Sequence, residues 1–307
     1  MQSILLVSYG APERHEEVAL FLERLFSGKN VPAERMAAAI YKYEQYAAKT
    51  GHYSPLNAEC RKIIDGIKQL CPKLPVYWGN LFGSPTIADA VAKMAEDGIE
   101  HAVCFATSAF DSPSGNQRYA EELESARKLI GSSAPIIEKL PLPYHHPLFI
   151  EAQTDRLLEI LAWHTLDFAD SPPPYLLFSA HSIPLTDAAR SHYVEQLQTT
   201  CQSVIEKIGT SLPWELVYQS RSGAAEYWLG PDIKERISTL AAEGHTRQII
   251  VSPIGFFCEN METEYDLDVE IGEHCAALGF SFCRVKAIGT MPKSCRLIAE
   301  LADGAKF

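Results

Sequence analysis

Short apolar runs alternate with amphipathic segments along the whole chain. Runs at Ile4 to Tyr9, Val76 to Leu81, Ala102 to Thr107 and Pro135 to Leu140 have the length and residue types of strands. A second set follows at Tyr175 to Ala180, Glu215 to Gln219, Gln248 to Ile254 and Phe280 to Val285. Between them, Asn57 to Leu70, Thr86 to Asp97, Gln117 to Ile130, Asp187 to Ile208 and Pro231 to Ala242 carry apolar residues at helical spacing. Alternation of this kind predicts an α/β fold, with parallel β-sheets flanked by helices on both faces.

The rhythm runs twice. A helix from Pro147 to His164 and the stretch Ser171-Pro172-Pro173-Pro174 separate the halves, since prolines break helices and make stiff linkers. The expected domains are 1–168 and 169–307, two similar doubly wound halves. They are alike in layout, not in sequence. Neither a Gly-x-Gly-x-x-Gly nor a P-loop pattern occurs, which counts against dinucleotide and nucleotide chemistry.

Composition narrows the classes further. With 307 residues, 47% of them hydrophobic and 21% charged, the chain can bury a large core. A formal net charge of -12 argues against a nucleic-acid partner, which needs a basic face. No apolar run approaches the ~20 residues of a membrane-spanning helix, so no membrane insertion is expected. Met1-Gln2-Ser3 leads straight into Ile4 without a basic leader, and the C-terminus ends at Phe307 without a membrane-binding extension. The expected location is the cytoplasm and the expected state a monomer. The eight cysteines (60, 71, 104, 201, 258, 275, 283 and 295) form no Cys-x-x-Cys pair and read as ordinary thiols of a reducing compartment.

Candidate chemistry concentrates where the strand-like runs end. Tyr175 to Ala180 delivers His181, an imidazole at the carboxyl end of a strand, where open α/β sheets bind ligands. Taken singly, such a histidine is more often a hydrogen-bonded structural group. The run from Gln248 opens into the acidic segment Glu262 to Glu270, in which Glu262, Asp266 and Glu270 recur every four residues and would share one face of an α-helix. Like charges at that spacing repel unless a cation or protons compensate, and their oxygens suit a divalent ion. The first run turns at Gly10 and Pro12, leaving the Tyr9 hydroxyl at a crevice; a capped strand with a core tyrosine is the plainer reading. Loops from Gly51 to Asn57, Thr107 to Tyr119 and Gln219 to Gly223 are rich in side chains that bind carboxylates, although each alone reads as turn chemistry.

These pieces occur in an order that resembles the ferrochelatases over nearly the whole chain. The resemblance is carried by Leu5 to Pro12, Ser54-Pro55-Leu56-Asn57, Gly79-Asn80 through Pro85, Thr107 through Tyr119 and His146-Pro147-Leu148-Phe149. Its most specific parts are Phe178 to Pro184, Gln219 to Gly223 with Trp228-Leu229-Gly230-Pro231, and Pro253 through Glu262. It implies two chelatase-like domains with a porphyrin cleft between them. It also implies insertion of ferrous iron into a porphyrin in haem biosynthesis, with porphyrin and iron as substrates. On this resemblance His181 corresponds to the base that accepts pyrrole protons and meets the metal, and Glu262 to its acidic partner. Asp266 and Glu270 correspond to a row leading from the site. Tyr9, Ser54 and Tyr119 correspond to porphyrin contacts in the coproporphyrin-using branch.

Departures from the pattern are local. The usual Asp-His pair before the acidic segment is Glu259-Asn260, which removes an imidazole two residues before Glu262. Asn116 stands where some members carry a cluster cysteine, so no [2Fe–2S] centre and no cofactor beyond the iron substrate are expected. The leading expectation is iron insertion into coproporphyrin III. The alternatives are protoporphyrin IX as substrate, another metal or tetrapyrrole, and a non-catalytic porphyrin or haem carrier.

Overall fold

Ile4, Leu5, Leu6 and Val7 are all fully buried in β1 (Gln2–Ser8). A strand that is apolar on both faces belongs inside a parallel sheet with helices above and below. The computed structural model describes residues 2–28, 31–167, 173–209, 211–222, 225–244 and 247–305. In it β1 lies between β2 (Val76–Asn80) and β3 (His101–Ala106), and β4 (Ile136–Lys139) closes the order β2-β1-β3-β4, parallel throughout. Helices α1 (His15–Leu25), α2 (Ala33–Thr50) and α3 (Leu56–Leu70) join β1 to β2; α4 (Ile87–Glu96) and α5 (Arg118–Ile130) make the later crossovers.

The second sheet repeats this plan. After α6 (Pro147–Asp167) come β5 (Tyr175–His181), α7 (Leu185–Ala188), α8 (Tyr193–Ile208), β6 (Trp214–Gln219), α9 (Ile233–Glu243) and β7 (Gln248–Ser252). A π-helical segment (Glu262–Ile271), α10 (Gly272–Ala277), β8 (Ser281–Arg284) and α11 (Pro292–Gly304) complete the chain. The order is β6-β5-β7-β8, again all parallel. Each sheet reverses its direction of growth once, between β1 and β3 and between β5 and β7. Crevices at such switch points, beyond the carboxyl ends of the strands, are where doubly wound sheets bind ligands.

Helix faces follow the periodicity. Tyr119, Leu123 and Ala126 of α5 pack with Val91 and Met94 of α4 on Leu5, Val7 and Cys104. Ile233, Ile237 and Leu240 of α9, with Leu267, Ile271 and Cys275, cover Leu177, Val217, Ile249 and Val251. Thr86 starts α4 with a capping box: its hydroxyl accepts the Asp89 N–H at 3.1 Å, and its own N–H reaches the Asp89 carboxylate at 2.8 Å.

Three features differ from expectation. The helix predicted over Asp187 to Ile208 is two, α7 and α8. At the break the Ser191 hydroxyl turns back to the Asp187 carbonyl (2.9 Å) and the His192 N–H bonds the Asp111 carboxylate (3.2 Å), so side-chain groups compete with the helical ladder. The acidic helix is π-wound rather than α. The expected boundary at 168/169 lies outside the described residues, and so does Gly223. The chain divides instead into one compact unit of Met1–Thr107, Arg118–Pro141 and Ile298–Phe307, and another of Ser108–Gln117 and Leu142–Leu297. Helix α6 goes with the second unit because it packs on α8. No helix among the described residues is long and apolar enough to cross a membrane.

Two outcomes follow from the packing. Burial pushes the Cys104 and Cys275 thiols up to about 12 and Cys201 higher still, while Cys71 and Cys283 are only partly covered. Iodoacetamide should therefore modify Cys71 and Cys283 first in native protein, as read by peptide mass spectrometry, and the buried thiols only after unfolding. The second concerns Glu215, whose carboxylate is forked by Arg236 through bonds of 2.6 Å each and so titrates below the usual glutamate range. A depressed carboxyl stabilises the fold above its unfolded pKa of about 4.3 and loses that contribution as pH falls through the folded value. The Tm deficit of Glu215→Gln should be present at pH 7 and shrink towards pH 3.

Candidate active site

β5 runs fully buried from Leu176 to Ala180 and then presents His181 at its carboxyl end. The imidazole Nδ1 lies 2.6 Å from the Ser182 carbonyl oxygen, which can only accept, so Nδ1 carries the hydrogen. The Nε2 lone pair is thereby left free to take a proton or a metal ion. Beneath it the buried Tyr193 hydroxyl donates to the His181 carbonyl at 3.0 Å. Burial, with Tyr218 and Glu262 adding to it, pushes the Tyr193 phenol well above the usual tyrosine range, so it remains a donor. An edge-to-face series of rings, Tyr193 on Phe110 and Phe110 on Phe149, with Phe257 stacked on Phe149, fills the space below.

The neighbouring strand β7 delivers the second group. Past its end the Gly255 N–H donates to the Ser179 carbonyl at 3.1 Å, and a Cβ on Gly255 would lie 2.6 Å from that of Ala180. Only glycine allows the loop this close to β5. The chain then enters the π-helical segment, and Glu262 Oε1 comes to 3.9 Å from His181 Nε2. Both side chains are partly open, 37% and 39% exposed. A first-row divalent ion takes nitrogen and oxygen donors at about 2.0–2.2 Å, so the gap fits an ion seated between them.

The rest of the acidic row does not gather into a shell. Asp266 is buried and accepts the Ser220 hydroxyl at 2.7 Å; Ser220 itself holds a left-handed backbone, φ 59°, unusual for a residue with a Cβ. Glu270 is paired with Lys234 at 2.8 Å. Among the described residues no group of three or more His, Cys, Asp or Glu side chains stands together as a metal cage. Their partners are why: Asp266 is held by Ser220 and Glu270 by Lys234, each drawn to a different neighbour along the segment.

The departure at Glu259-Asn260 has a clear structural part. The Asn260 side chain accepts the Thr263 N–H and the Thr263 hydroxyl accepts the Asn260 N–H, both at 3.0 Å, a reciprocal cap on the turn that carries Glu262. Buried Glu259 accepts from the Thr263 hydroxyl (2.8 Å), the Ala287 N–H (2.7 Å) and Arg284.

Several of these residues have no sequence signal, Tyr193, Lys234 and Arg284 among them. Ser220 lies in the motif that begins at Gln219, singled out in the sequence without a role for either, and Gln219 shares that motif. It pairs in register with His181, is 2% exposed, and neither its amide oxygen nor its nitrogen has a hydrogen-bond partner among the described residues.

The porphyrin contacts expected from the resemblance belong to the first unit and differ in availability. Tyr9 is 37% exposed, its ring edge-on to Phe82 at 4.8 Å. The Ser54 hydroxyl accepts the Leu56 N–H at 3.3 Å at the start of α3. Tyr119 is 3% exposed within the core, because it lies on the inward stripe of α5 with Leu123 and Ala126, and its ring is not offered to a ligand.

The sequence model of the ferrochelatase family matches residues 1–305. A ferrochelatase of Rhodopirellula baltica is 36% identical over 306 residues, covering 98% of this chain and 85% of that one. The chain belongs to the ferrochelatase family. Relatives of this family named coproporphyrin III ferrochelatase include those of Frankia alni, 36% identical over 99% of this chain and 79% of its own, and Nocardia farcinica, 37% over 98% and 87%. Among solved structures, the cobalt complex of the sirohydrochlorin chelatase SirB from Bacillus subtilis subspecies spizizenii aligns with a TM-score of 0.57, covering 98% of this chain and 94% of that one. At 14% identity that likeness shows the chelatase fold alone.

The Gly255 contact brings the loop that leads to Glu262 against the strand that ends at His181. Gly255→Ala should push the loop off buried Ala180 of β5, lowering the Tm and lowering metal-insertion activity at least tenfold in the protein that remains folded, by moving Glu262 away from His181. Circular dichroism and steady-state rates check both halves.

Proposed function

We propose that this protein inserts ferrous iron into coproporphyrin III, as a step of haem biosynthesis in the cytoplasm. The observation that carries the reading is an imidazole whose Nε2 lone pair is free, 3.9 Å from a carboxylate, at the switch point of a chelatase fold. A free-base porphyrin must lose two pyrrole protons before its four nitrogens can take a divalent ion. His181 Nε2 accepts a pyrrole proton, the lone pair left on the pyrrole nitrogen binds the iron, and Glu262 stabilises the imidazolium before the proton leaves to solvent. Repeating the step releases the second proton, so one iron ion enters as two protons depart. The reaction needs no cofactor beyond the iron itself.

Glu262 and His181 Nε2 first hold the ion weakly, which favours transfer over retention; once the ion has moved onto the two unprotonated porphyrin nitrogens, the Nε2 lone pair is released to act as base. Asp266 and Glu270 lie further along the same segment and serve delivery of metal or removal of protons. Tyr9 supplies a partly open ring and hydroxyl to the porphyrin. Ser54 keeps its own O–H free to donate to a propionate while accepting from Leu56. The names of the Frankia alni and Nocardia farcinica relatives support coproporphyrin III as the porphyrin.

Anaerobic incubation with ferrous iron and either coproporphyrin III or protoporphyrin IX, followed in the visible spectrum, tests the reading. Free-base bands should fade faster with coproporphyrin III, and His181→Ala should slow the rate by about 10²-fold or more. Faster turnover of protoporphyrin IX would discard the substrate assignment and keep the chemistry. Porphyrin binding without metal entry would replace the enzyme by a carrier.

A further inference from the structure

Arg284, at the end of β8, lies outside the His181–Glu262 pair, yet its guanidinium is bonded to two carboxylates at once. Its Nη1 donates to both oxygens of Glu259 at 2.9 Å, while Nε and Nη2 fork the Asp268 carboxylate at 2.6 and 2.8 Å. Glu259 precedes the π-helical segment and Asp268 lies inside it, so one guanidinium ties together two points that bracket Glu262. Arg284 and Glu259 are 6% and 9% exposed, and Asp268 is 42% exposed. Burial alone would lower the Arg284 pKa; its bonds to Asp268 and Glu259 outweigh that and hold it above the usual arginine value.

Stability is a poor explanation for such an arrangement. Buried ion pairs recover little more than their desolvation cost, and apolar replacements of similar volume are often neutral or better. What a rigid fork with two carboxylate partners supplies is registration. The segment it clamps requires registration, because π-helical winding is rare and gives way readily to α-helical winding. Rewinding would rotate Glu262 relative to His181, and five acids between Glu262 and Glu270 repel one another along the segment. The Asn260–Thr263 cap fixes only the first turn, and Asp268 lies beyond its reach.

We propose that Arg284 is a positioning residue that keeps the π-helical winding of Glu262–Ile271, and through it the spacing between Glu262 and His181 on which metal capture depends. The inference rests on the roles proposed above for those two residues. Glu259 and Asp268 are the two anchors of the clamp.

The test uses the full-length protein with Arg284→Lys, Asp268→Asn and Asp268→Glu. Lysine keeps the charge but cannot bond both carboxylates in a fork. Asp268→Asn releases the segment and leaves the buried Arg284–Glu259 pair intact. In both, far-ultraviolet circular dichroism and the coproporphyrin Kd should stay within about twofold of the parent, while the KM for iron rises about tenfold, as supporting-residue changes around metal ligands do. Asp268→Glu should restore most of the loss. A direct titration with Co²⁺, read from its visible absorption, should show the same tenfold weakening without any turnover. If the parent protein inserts no metal, the proposed function fails while the Co²⁺ titration still judges the clamp. If Arg284→Lys does not fold, Asp268→Asn decides alone. A folded Asp268→Asn with parental iron KM and Co²⁺ affinity would overturn the inference.

Discussion

The loop leaving β7 must lie against the last buried residues of β5, and everything at the site depends on that close approach. Parallel pairing already sets β5 and β7 side by side, with Phe178 opposite Ser252. Beyond the pairing the two chains would normally diverge. The missing side chain at Gly255 lets the backbone settle on Ala180, one residue before His181, so two groups far apart in sequence reach the same end of the sheet. The strand order that makes β5 and β7 neighbours also places them at the switch point, where no helix crosses above the strand ends.

Electrostatics along the acidic segment are resolved one residue at a time. Asp266 is satisfied by Ser220, Glu270 by Lys234 and Asp268 by Arg284, each partner coming from a different element of the second unit. Glu262 is left facing an imidazole with its lone pair free. That division suits a substrate ion, which must be held briefly between weak donors and released into four nitrogens. Ser220 keeps a left-handed backbone within the same arrangement, a local cost that the surrounding bonds sustain.

The replacement of the family's usual Asp-His by Glu259-Asn260 fits this picture. Glu259 still ends in a carboxylate and, one methylene longer, meets Arg284, Thr263 and the Ala287 N–H together. Asn260 contributes a cap to the turn bearing Glu262 rather than a titratable ring. The two positions support geometry here, and in the proposed reaction proton chemistry rests on His181.

The α/β class, the eight strands of the described residues and most helices were legible in the sequence because buried parallel strands are continuous apolar runs, and covering helices show an inward stripe. His181 and Glu262 were legible too, as polar groups following such runs within long motifs of the ferrochelatase family. Other features were decided only by tertiary structure. The acidic residues read as an α-helical row, and their π-helical winding depends on Arg284, whose partner choice has no local signature. Tyr119 was expected as a porphyrin contact from the family resemblance, and in the structure it lies in the core on the inward stripe of α5. The break between α7 and α8 depends on Asp111, far away in the chain. Hydrophobic pattern is a property of neighbouring residues and survives in one dimension. Pairing of charges, close backbone approach and the direction of a lone pair arise between distant segments, and only the folded chain fixes them.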